Sequence, residues 1–398
     1  MRRNLYTQLL EWKNSTSRKP LILEGARQVG KTWLLDEFGA NEYKYYIKIN
    51  CDNNPEVKDL FADYDVNRIL RIVSAISKTP VKPCETLIFF DEIQNVEDFQ
   101  RVVDSLFLDE NLDLYLTGSN AYLLSGELAT LLSGRFITIE MLPLSFKEFC
   151  SAADEGLSLS EKYRLYIERS SFPYALNFGG NKMEMLDYLH GIYSTIVLKD
   201  VVSRSKISDP KMLESIVRFI FDSIGSPISA KRIADTMVSS GRKIDAKTVE
   251  KYISALQNSF IIYEAKRYDI RGKQCLKLLE KYYSVDTGLR FLLLGQRANN
   301  VGHILENIVY LELIRRKYDV YVGKIDDMEI DFVAQSEEGN LYVQVAASVR
   351  DENTLERELR PLKLLRDSYP KLLLTLDDDP IADYEGIKRM NALDWLLQ

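Results

Sequence analysis

One short pattern limits what this 398-residue chain can fold into. Residues 20–24 (PLILE) form an apolar run that indicates a buried strand, and the string GARQVGKT follows directly at residues 25–32. That string matches G-x-x-x-x-G-K-[ST], and residues 33–38 continue it with a helical pattern. A strand, this pattern and a helix in that order predict a phosphate-binding loop, or P-loop.

The residue types of this loop suit the phosphates of a nucleotide. The glycines let the backbone turn tightly, so that successive N–H groups point at phosphate oxygens. Lys31 would neutralise the β- and γ-phosphates, and the Thr32 hydroxyl can bind Mg²⁺. The alternative, a glycine-containing surface turn, does not account for the flanking strand and helix. We therefore expect these residues to bind the nucleotide: Gly25, Arg27, Gln28, Val29, Gly30, Lys31, Thr32 and Trp33.

A pair of carboxylates follows a second predicted buried strand. Residues 86–90 (TLIFF) are apolar, and Asp91 and Glu92 come directly after them. The carboxyl ends of parallel strands face one crevice, so this pair should lie beside the P-loop. We expect Asp91 to hold Mg²⁺ through water and Glu92 to polarise the attacking water. The alternative is two solvated acids that cap a helix.

Two further segments offer polar side chains to the same site. The predicted strand at residues 112–116 is followed by Ser119 and Asn120, which could sense the γ-phosphate or position the water. An ordinary N-cap turn is the alternative for this segment. Arg135 could stabilise transition-state charge, either in its own chain or across a subunit boundary. A structural ion pair with a carboxylate explains Arg135 equally well.

Together these segments resemble the AAA-type ATPases of the additional-strand P-loop class. They are most similar to a bacterial and archaeal family in which this module precedes the domain catalogued as domain of unknown function 4143. The matching strings are GARQVGKTWLL (25–35), LIFFDEIQNV (87–96), LYLTGSN (114–120), LSGRF (132–136) and LPLSFKEF (142–149). The resemblance implies that Asp91 and Glu92 form the Walker B pair and that Asn120 or Ser119 is sensor 1. It also implies ATP as the nucleotide, and a parallel sheet in which the strand of Leu112 separates those of the P-loop and Asp91.

Composition excludes several classes of protein. Lys and Arg number 52 and Asp and Glu number 59, so the net charge of 52 − 59 = −7 excludes a histone-like basic protein. No run approaches the roughly 18 apolar residues that cross a bilayer, and no apolar signal-peptide core follows Met1. The four cysteines are far apart, and two histidines cannot form a His-rich metal site. We expect a cytoplasmic protein with no membrane contact.

The middle of the chain has a different charge from the rest. Residues 228–281 contain 12 Lys and Arg and 6 Asp and Glu, a net charge of 12 − 6 = +6, which leaves −7 − 6 = −13 elsewhere. Three predicted helices and two predicted strands over residues 211–290 give the layout of a winged helix. We expect residues 228–281 to bind either DNA or RNA or a protein partner. The exposed lysines of an ordinary surface are the alternative.

The C-terminal residues outline a nuclease-like domain that lacks its lysine. Glu306 lies on a predicted amphipathic helix and Asp331 lies in a predicted strand, as in the restriction-endonuclease-like fold. The E-x-K motif of such a fold would fall on residues 344–346, which read Gln-Val-Ala here. A neutral Gln is a poor ligand for a hard metal, so we expect no nuclease activity. Structural carboxylates are the alternative role for Glu306 and Asp331.

These patterns predict an α/β chain of four parts. They are an AAA-type P-loop ATPase domain (1–150), a helical connector (151–210), a winged-helix-like domain (211–290) and a degenerate nuclease-like α/β domain (291–398). The predicted activity is Mg²⁺-dependent ATP hydrolysis that moves the C-terminal interaction region. The alternative is an ATP-dependent switch with little turnover, which binds DNA or a protein through the winged helix. A trans-acting Arg135 would require an oligomer.

Overall fold

The computed structural model describes residues 3–16, 18–52, 57, 64–96, 98–107, 112–119, 134–179, 181–295 and 300–398, without the side chains of residues 198–200 and 277–278. The chain divides into two compact units. One is Met1–Pro143 with the short segment Asn258–Phe260, and the other is Leu144–Gln257 with Ile261–Gln398. Across the residues given above, the longest apolar helix falls short of what a membrane crossing requires.

The first unit is built on a five-stranded parallel sheet. Its strands are β1 (Leu21–Glu24), β2 (Tyr45–Asn50), β3 (Thr86–Asp91), β4 (Asp113–Gly118) and β5 (Ile137–Glu140). The strands lie in the order β2-β3-β4-β1-β5, and every neighbouring pair is parallel. β4 therefore separates β1 from β3, as predicted. β1, β3 and β4 are buried along their whole length, which explains their continuous apolar runs.

Helices flank this sheet and bury its residues. Those within the described part of the first unit are α1 (Leu5–Lys13), α2 (Lys31–Glu42), α3 (Val66–Ser77) and α4 (Phe99–Phe107). α2 begins directly after the P-loop, with Gly30 as its N-cap at φ 94°. The Asp65 carboxylate caps α3 by accepting two backbone N–H bonds. Apolar residues of α3 and α4 share one buried core with those of β2, β3 and β4.

The described residues of the second unit form ten α-helices. They are α5 (Phe146–Ala152), α6 (Leu159–Arg169), α7 (Lys182–Ser194), α8 (Pro210–Asp222), α9 (Ala230–Ser239), α10 (Ala246–Asn258), α11 (Thr287–Leu294), α12 (Val301–Arg315), α13 (Glu352–Lys363) and α14 (Ala392–Leu397). A π-helix, Thr195–Val202, continues α7. α5 and α6 each begin with a capping box, in which Ser145 and Ser158 exchange hydrogen bonds with the third helical residue.

An eight-stranded sheet completes the second unit. Its strands are β6 (Ile262–Asp269), β7 (Gln274–Ser284), β8 (Asp319–Ile325), β9 (Met328–Ser336), β10 (Gly339–Ala346), β11 (Lys371–Thr375), β12 (Ala382–Tyr384) and β13 (Ile387–Asn391). They lie in the order β12-β13-β11-β10-β9-β8-β6-β7. β6 pairs in parallel with β8, with Arg267 opposite Val322. The predicted boundary between residues 290 and 291 therefore does not coincide with an end of this sheet.

The prediction of an amphipathic helix around Glu306 is wrong. Residues 304–313 of α12 are all buried, so the helix has no solvent-facing stripe. The physical reason is that α12 packs against four strands of the large sheet, β7, β8, β9 and β10. Such a helix is apolar around most of its circumference, and the polar residues it carries must find buried partners.

Candidate functional site

The loop between β1 and α2 curls at the carboxyl end of the parallel sheet. Gly25 has φ 139°, and a Cβ atom there would lie 2.3 Å from the backbone oxygen of Met141. Both the backbone angle and the close approach therefore require glycine at this position. The buried Lys31 donates hydrogen bonds from Nζ to the carbonyl oxygens of Gly25 and Ala26, both at 2.8 Å. Its ammonium group thus lies inside the curl, where the loop would receive phosphate oxygens.

Arg3 supports this loop from outside the motif. Its buried guanidinium donates to the backbone oxygen of Val29 at 2.8 Å and to that of Leu142 at 2.7 Å. These bonds tie the P-loop to the residues that follow β5. The two contacts span 26 and 139 positions of sequence, so no local pattern marks Arg3 as part of the site.

Two hydroxyl groups converge on one oxygen of Asp91. The Thr32 hydroxyl donates to Asp91 Oδ1 at 3.0 Å, and the Thr117 hydroxyl donates to the same oxygen at 2.6 Å. The backbone N–H of Glu92 donates to Thr117 Oγ1 at 3.0 Å. The structure thus brings Thr32 and Asp91, the predicted metal residues, within hydrogen-bond distance. Both are hard oxygen donors, and a shared coordination shell of Mg²⁺ fits this pair.

The second carboxylate oxygen of Asp91 faces a lysine. Lys48 Nζ lies 3.7 Å from Asp91 Oδ2 and 2.9 Å from Asp36 Oδ2. Lys48 is on β2 and Asp36 is on α2, so this ammonium joins the P-loop helix to the strand of Asp91. It also supplies positive charge to the carboxylate on the side away from Thr32.

Glu92 occupies a strained backbone position with a defined side-chain environment. Its φ of 56° and ψ of 46° are left-handed, which costs a non-glycine residue about 1–2 kcal/mol. Its carboxylate accepts hydrogen bonds from the Ser119 hydroxyl at 3.0 Å and from the Gln94 amide. Strain of this kind is concentrated at functional sites. Gln94 was not predicted, although its position two residues after the Walker B pair was a usable signal.

The charge state of Glu92 suits a proton acceptor. Burial alone would raise the pKa of this carboxyl. Three effects outweigh burial and hold the pKa of Glu92 below its usual value. They are the charge of Lys31, the hydrogen bonds that Gln94 and Ser119 donate to the carboxylate, and the charge of Arg27. The group is therefore ionised at neutral pH, as a general base must be.

The other predicted site residues lie in different places. Ser119 is at the site, whereas Asn120 lies outside the residues that the structure describes. Trp33 is in the first turn of α2 and is 46% exposed. Arg135 lies two residues before Ile137, the first residue of β5, and Ile137 pairs with Leu21 at the start of β1. Arg135 is therefore at the opposite end of the sheet from the P-loop. Its guanidinium forms an ion pair with Asp104 on α4. This is the structural ion pair that was the alternative to a catalytic role for Arg135.

Glu24 is a buried carboxyl at the start of the P-loop. One of its oxygens has no hydrogen-bond partner among the described residues. Burial and the charge of Glu140 raise the pKa of Glu24 to about 8, against a lowering effect of Lys31. The folded protein therefore holds this proton up to about pH 8, whereas the unfolded chain releases it near pH 4.5.

Replacing Glu24 with Gln is expected to change how stability depends on pH. Because the folded-state pKa is the higher one, the contribution of Glu24 is fully present below pH 4.5 and is lost as the pH rises through 8. Glu24→Gln should remove that loss. As the pH rises from 5 to 8, the free energy of unfolding of the variant should therefore increase by up to about 4 kcal/mol relative to that of wild type. Denaturant unfolding at several pH values measures this difference. Parallel pH profiles for the two proteins would contradict it. Glu85→Gln, at a half-buried glutamate outside the P-loop, serves as the control.

Comparison with known proteins places this site within a recognised domain. Residues 17–150 match the family described as an AAA domain, and residues 160–300 match a family described as domain of unknown function 8612. The expectation of domain of unknown function 4143 is therefore wrong. The strings that carried that resemblance lie between residues 25 and 149, so they bear on the ATPase part and do not identify the domain that follows it.

Two relatives match almost the whole chain. An uncharacterized protein of Haemophilus influenzae is 38% identical over 408 residues, which cover 100% of this chain and 98% of that protein. An uncharacterized protein of Methanocaldococcus jannaschii is 29% identical over 385 residues, which cover 90% of this chain and 82% of that one. Among solved structures, the Walker-type ATPase of Pyrococcus abyssi superposes with a TM-score of 0.50 at 16% identity, covering 74% of this chain and 95% of that one. That likeness concerns the fold, an α/β P-loop ATPase architecture.

Proposed function

Because this chain belongs to the same family as the Haemophilus influenzae protein and carries an AAA domain, we propose that it binds ATP with Mg²⁺ and hydrolyses it. One observation carries the proposal. Thr32 donates directly to Asp91, and Thr117 links Asp91 to the backbone N–H of Glu92, so these residues form one hydrogen-bonded cluster beside the P-loop. Phosphoryl transfer to water requires a phosphate-binding loop, residues that hold Mg²⁺ and an ionised carboxylate, and all three lie at one end of this sheet.

Each residue of the cluster has a separate task in this proposal. The backbone N–H groups of residues 25–32 bind the phosphates, and Lys31 leaves the loop carbonyls to pair with phosphate oxygens. Thr32 and Asp91 hold Mg²⁺, which when bound neutralises charge on the phosphate oxygens. Glu92 accepts a proton from the attacking water. Ser119 and Gln94 keep its carboxylate in place.

Asn120 and Arg135 stay predictions within this proposal. Asn120 follows Ser119 directly in the sequence, and in this proposal it senses the γ-phosphate. Arg135 is one sheet length from its own P-loop, so we propose that any catalytic role is exerted on a neighbouring subunit. The ion pair with Asp104 would then have to open in the assembly.

The decisive experiment is ATP hydrolysis by the purified full chain. Phosphate release is expected in the presence of Mg²⁺ and should cease when EDTA removes the metal. Double-stranded DNA is added in a parallel series, because stimulation would indicate coupling to nucleic acid. Tight ATP binding without turnover would favour the switch alternative. Failure to bind ATP at all would contradict both.

We propose that the second unit carries the interaction region that the nucleotide cycle moves. In this interpretation residues 151–210 are a helical connector, residues 211–290 are a winged helix and residues 291–398 are a nuclease-like domain without activity. Three helices followed by the hairpin of β6 and β7 support the winged helix. A bridge between Ile228, ahead of α9, and Glu280 on β7 also supports it, because it adds a short third strand to the wing.

The second candidate function, a switch that binds nucleic acid, is favoured by the charge of the same segment. Lys247 and Lys251 lie four residues apart on α10 and are both exposed, and Lys273 is exposed in the turn of the hairpin. Some described residues of the predicted patch, Lys281 and Arg271 among them, are engaged within the chain. Lys281 is buried, which reduces the net charge to 11 − 6 = +5, and Arg271 pairs with Asp326 at 2.7 Å.

Phosphate contacts predict a steep dependence of DNA affinity on salt. The double variant Lys247→Ala with Lys251→Ala should weaken binding to double-stranded DNA and lower the slope of log K against log salt by about one per lost contact. Fluorescence anisotropy at several salt concentrations measures both quantities. Lys44→Ala, an exposed lysine elsewhere, should leave them unchanged. Salt-independent binding, or none, would direct the search to a protein partner.

A further inference from the structure

A buried lysine lies among three carboxylates in the second unit. The side chain of Lys281, on β7, is 3% exposed. Its Nζ atom lies 2.9 Å from Glu306 Oε1, 2.7 Å from Glu329 Oε1 and 3.5 Å from Asp331 Oδ1. Glu306 is on α12, and the other two carboxylates are on β9. One ammonium group thus joins three elements that are separate in the sequence.

This cluster contains the carboxylates of the nuclease-like outline. In the restriction-endonuclease-like fold, Glu306 and Asp331 would bind a divalent metal together with the residue at position 344. Here Gln344 is already engaged, because its side-chain oxygen accepts from Asp331 N at 3.3 Å and its Nε2 donates to Glu358 Oε2 at 2.7 Å. It therefore holds the strand and the helix α13 instead of facing a cation.

Two carboxylates of the cluster have further hydrogen-bond partners. The Tyr283 hydroxyl donates to Glu306 Oε1 at 2.7 Å, and Val345 N donates to Asp331 Oδ2 at 2.9 Å. A Cβ atom on Gly225 would lie 2.8 Å from Glu306 Oε2, so a turn closes that side. Across the described residues, no three Asp, Glu, His or Cys side chains are arranged to hold a metal ion. The donor set does not fit the metal that the fold would imply.

We propose that the Lys281 ammonium is a built-in cation that replaces the divalent metal of this fold, so that the cluster joins β7, α12 and β9 and binds neither Mg²⁺ nor Mn²⁺. A positive charge amid three carboxylates meets the same electrostatic need as a metal ion. An ammonium has three donors, one for each carboxylate present.

The positive charge of Lys281 agrees with this role. Burial would lower the pKa of Lys281, but the three carboxylates raise it above its usual value, so the lysine stays charged. Burial and the neighbouring Glu306 raise the pKa of Asp331 to about 7. His303, one turn before Glu306 on α12, has a lowered pKa from burial and from Lys281, so it adds no second positive charge.

Manganese binding to the full chain tests the proposal. Electron paramagnetic resonance counts bound Mn²⁺ in wild type, Asp331→Asn, Lys281→Ala and the double variant, all without nucleotide. All four proteins contain the same P-loop site, so any difference in the number of bound Mn²⁺ ions comes from the cluster around Lys281. We expect wild type and Asp331→Asn to bind the same number of ions. Lys281→Ala should gain one ion, and the double variant should lose it again.

Three results would overturn the proposal. One is a Mn²⁺ ion in wild type that Asp331→Asn removes. Another is Mn²⁺-dependent cleavage of plasmid DNA that the same substitution abolishes. The third is a folded Lys281→Ala protein that gains no ion.

The melting temperature of Lys281→Ala should fall, and millimolar Mn²⁺ should raise it again. If that variant does not fold, the comparison of wild type with Asp331→Asn decides alone. Lys388→Ala, an exposed lysine of the same sheet, is the control.

Discussion

The substitution Glu92→Gln is expected to stop ATP turnover while ATP still binds. Glutamine keeps the size of the side chain and can still accept the hydrogen bond from Ser119. Its neutral amide cannot accept the proton of the attacking water, and loss of a general base lowers kcat by about 10²–10⁴-fold. Phosphate release measures turnover, and titration with a fluorescent ATP analogue measures binding.

The matched control for this variant is Glu85→Gln. Glu85 lies in the same unit and forms a 3.1 Å surface ion pair with Lys44, its side chain being 43% exposed. Exposed pairs of this kind contribute little to stability, so the control should hydrolyse ATP like wild type. Normal hydrolysis by Glu92→Gln would show that another group activates the water.

The substitution Lys31→Ala is expected to remove both binding and turnover. Lys31 is buried inside the loop, and its ammonium lies 2.8 Å from each of two loop carbonyls, where phosphate oxygens would be received. Two charge-assisted hydrogen bonds to phosphate contribute about 1.5–3 kcal/mol each, so ATP affinity should fall by at least about 10²-fold. Isothermal titration calorimetry measures this loss directly.

Lys44→Ala is the control for the lysine variant. Lys44 is an exposed lysine of the same unit, and its side chain is 62% exposed. It should leave ATP affinity unchanged, and a melting curve for each variant verifies that the fold is intact. Wild-type affinity in Lys31→Ala would mean that nucleotide binds elsewhere in the chain.

The sequence predicts the centre of this site because its signals are local. The P-loop pattern needs only eight consecutive residues, and the Asp91–Glu92 pair is marked by the apolar run before it. Buried parallel strands are apolar along their whole length, so three of the five strands of the first sheet stand out in the sequence. The resemblance then implied that β4 separates β1 from β3, which the strand order confirms.

The supporting residues could not be predicted, because their contacts are not local. Arg3 reaches the P-loop across 26 positions, and Lys281 reaches Glu306 across 25. Nothing in either neighbourhood of sequence identifies the partner. Arg135 shows a related difficulty. The order of segments placed it near the site, but only the register of β5 on β1 reveals that it lies at the far end of the sheet.

The pairing of β6 with β8 has a consequence for shortened forms of this protein. The match to the domain of unknown function ends at residue 300, within the stretch that joins these two strands. A gene that stopped there would encode β6 with its backbone N–H and C=O groups open on one side. An unpaired edge of this kind is a template for self-association, so truncated copies should aggregate. A chain that ends between β6 and β8 is therefore expected to associate with itself through this edge.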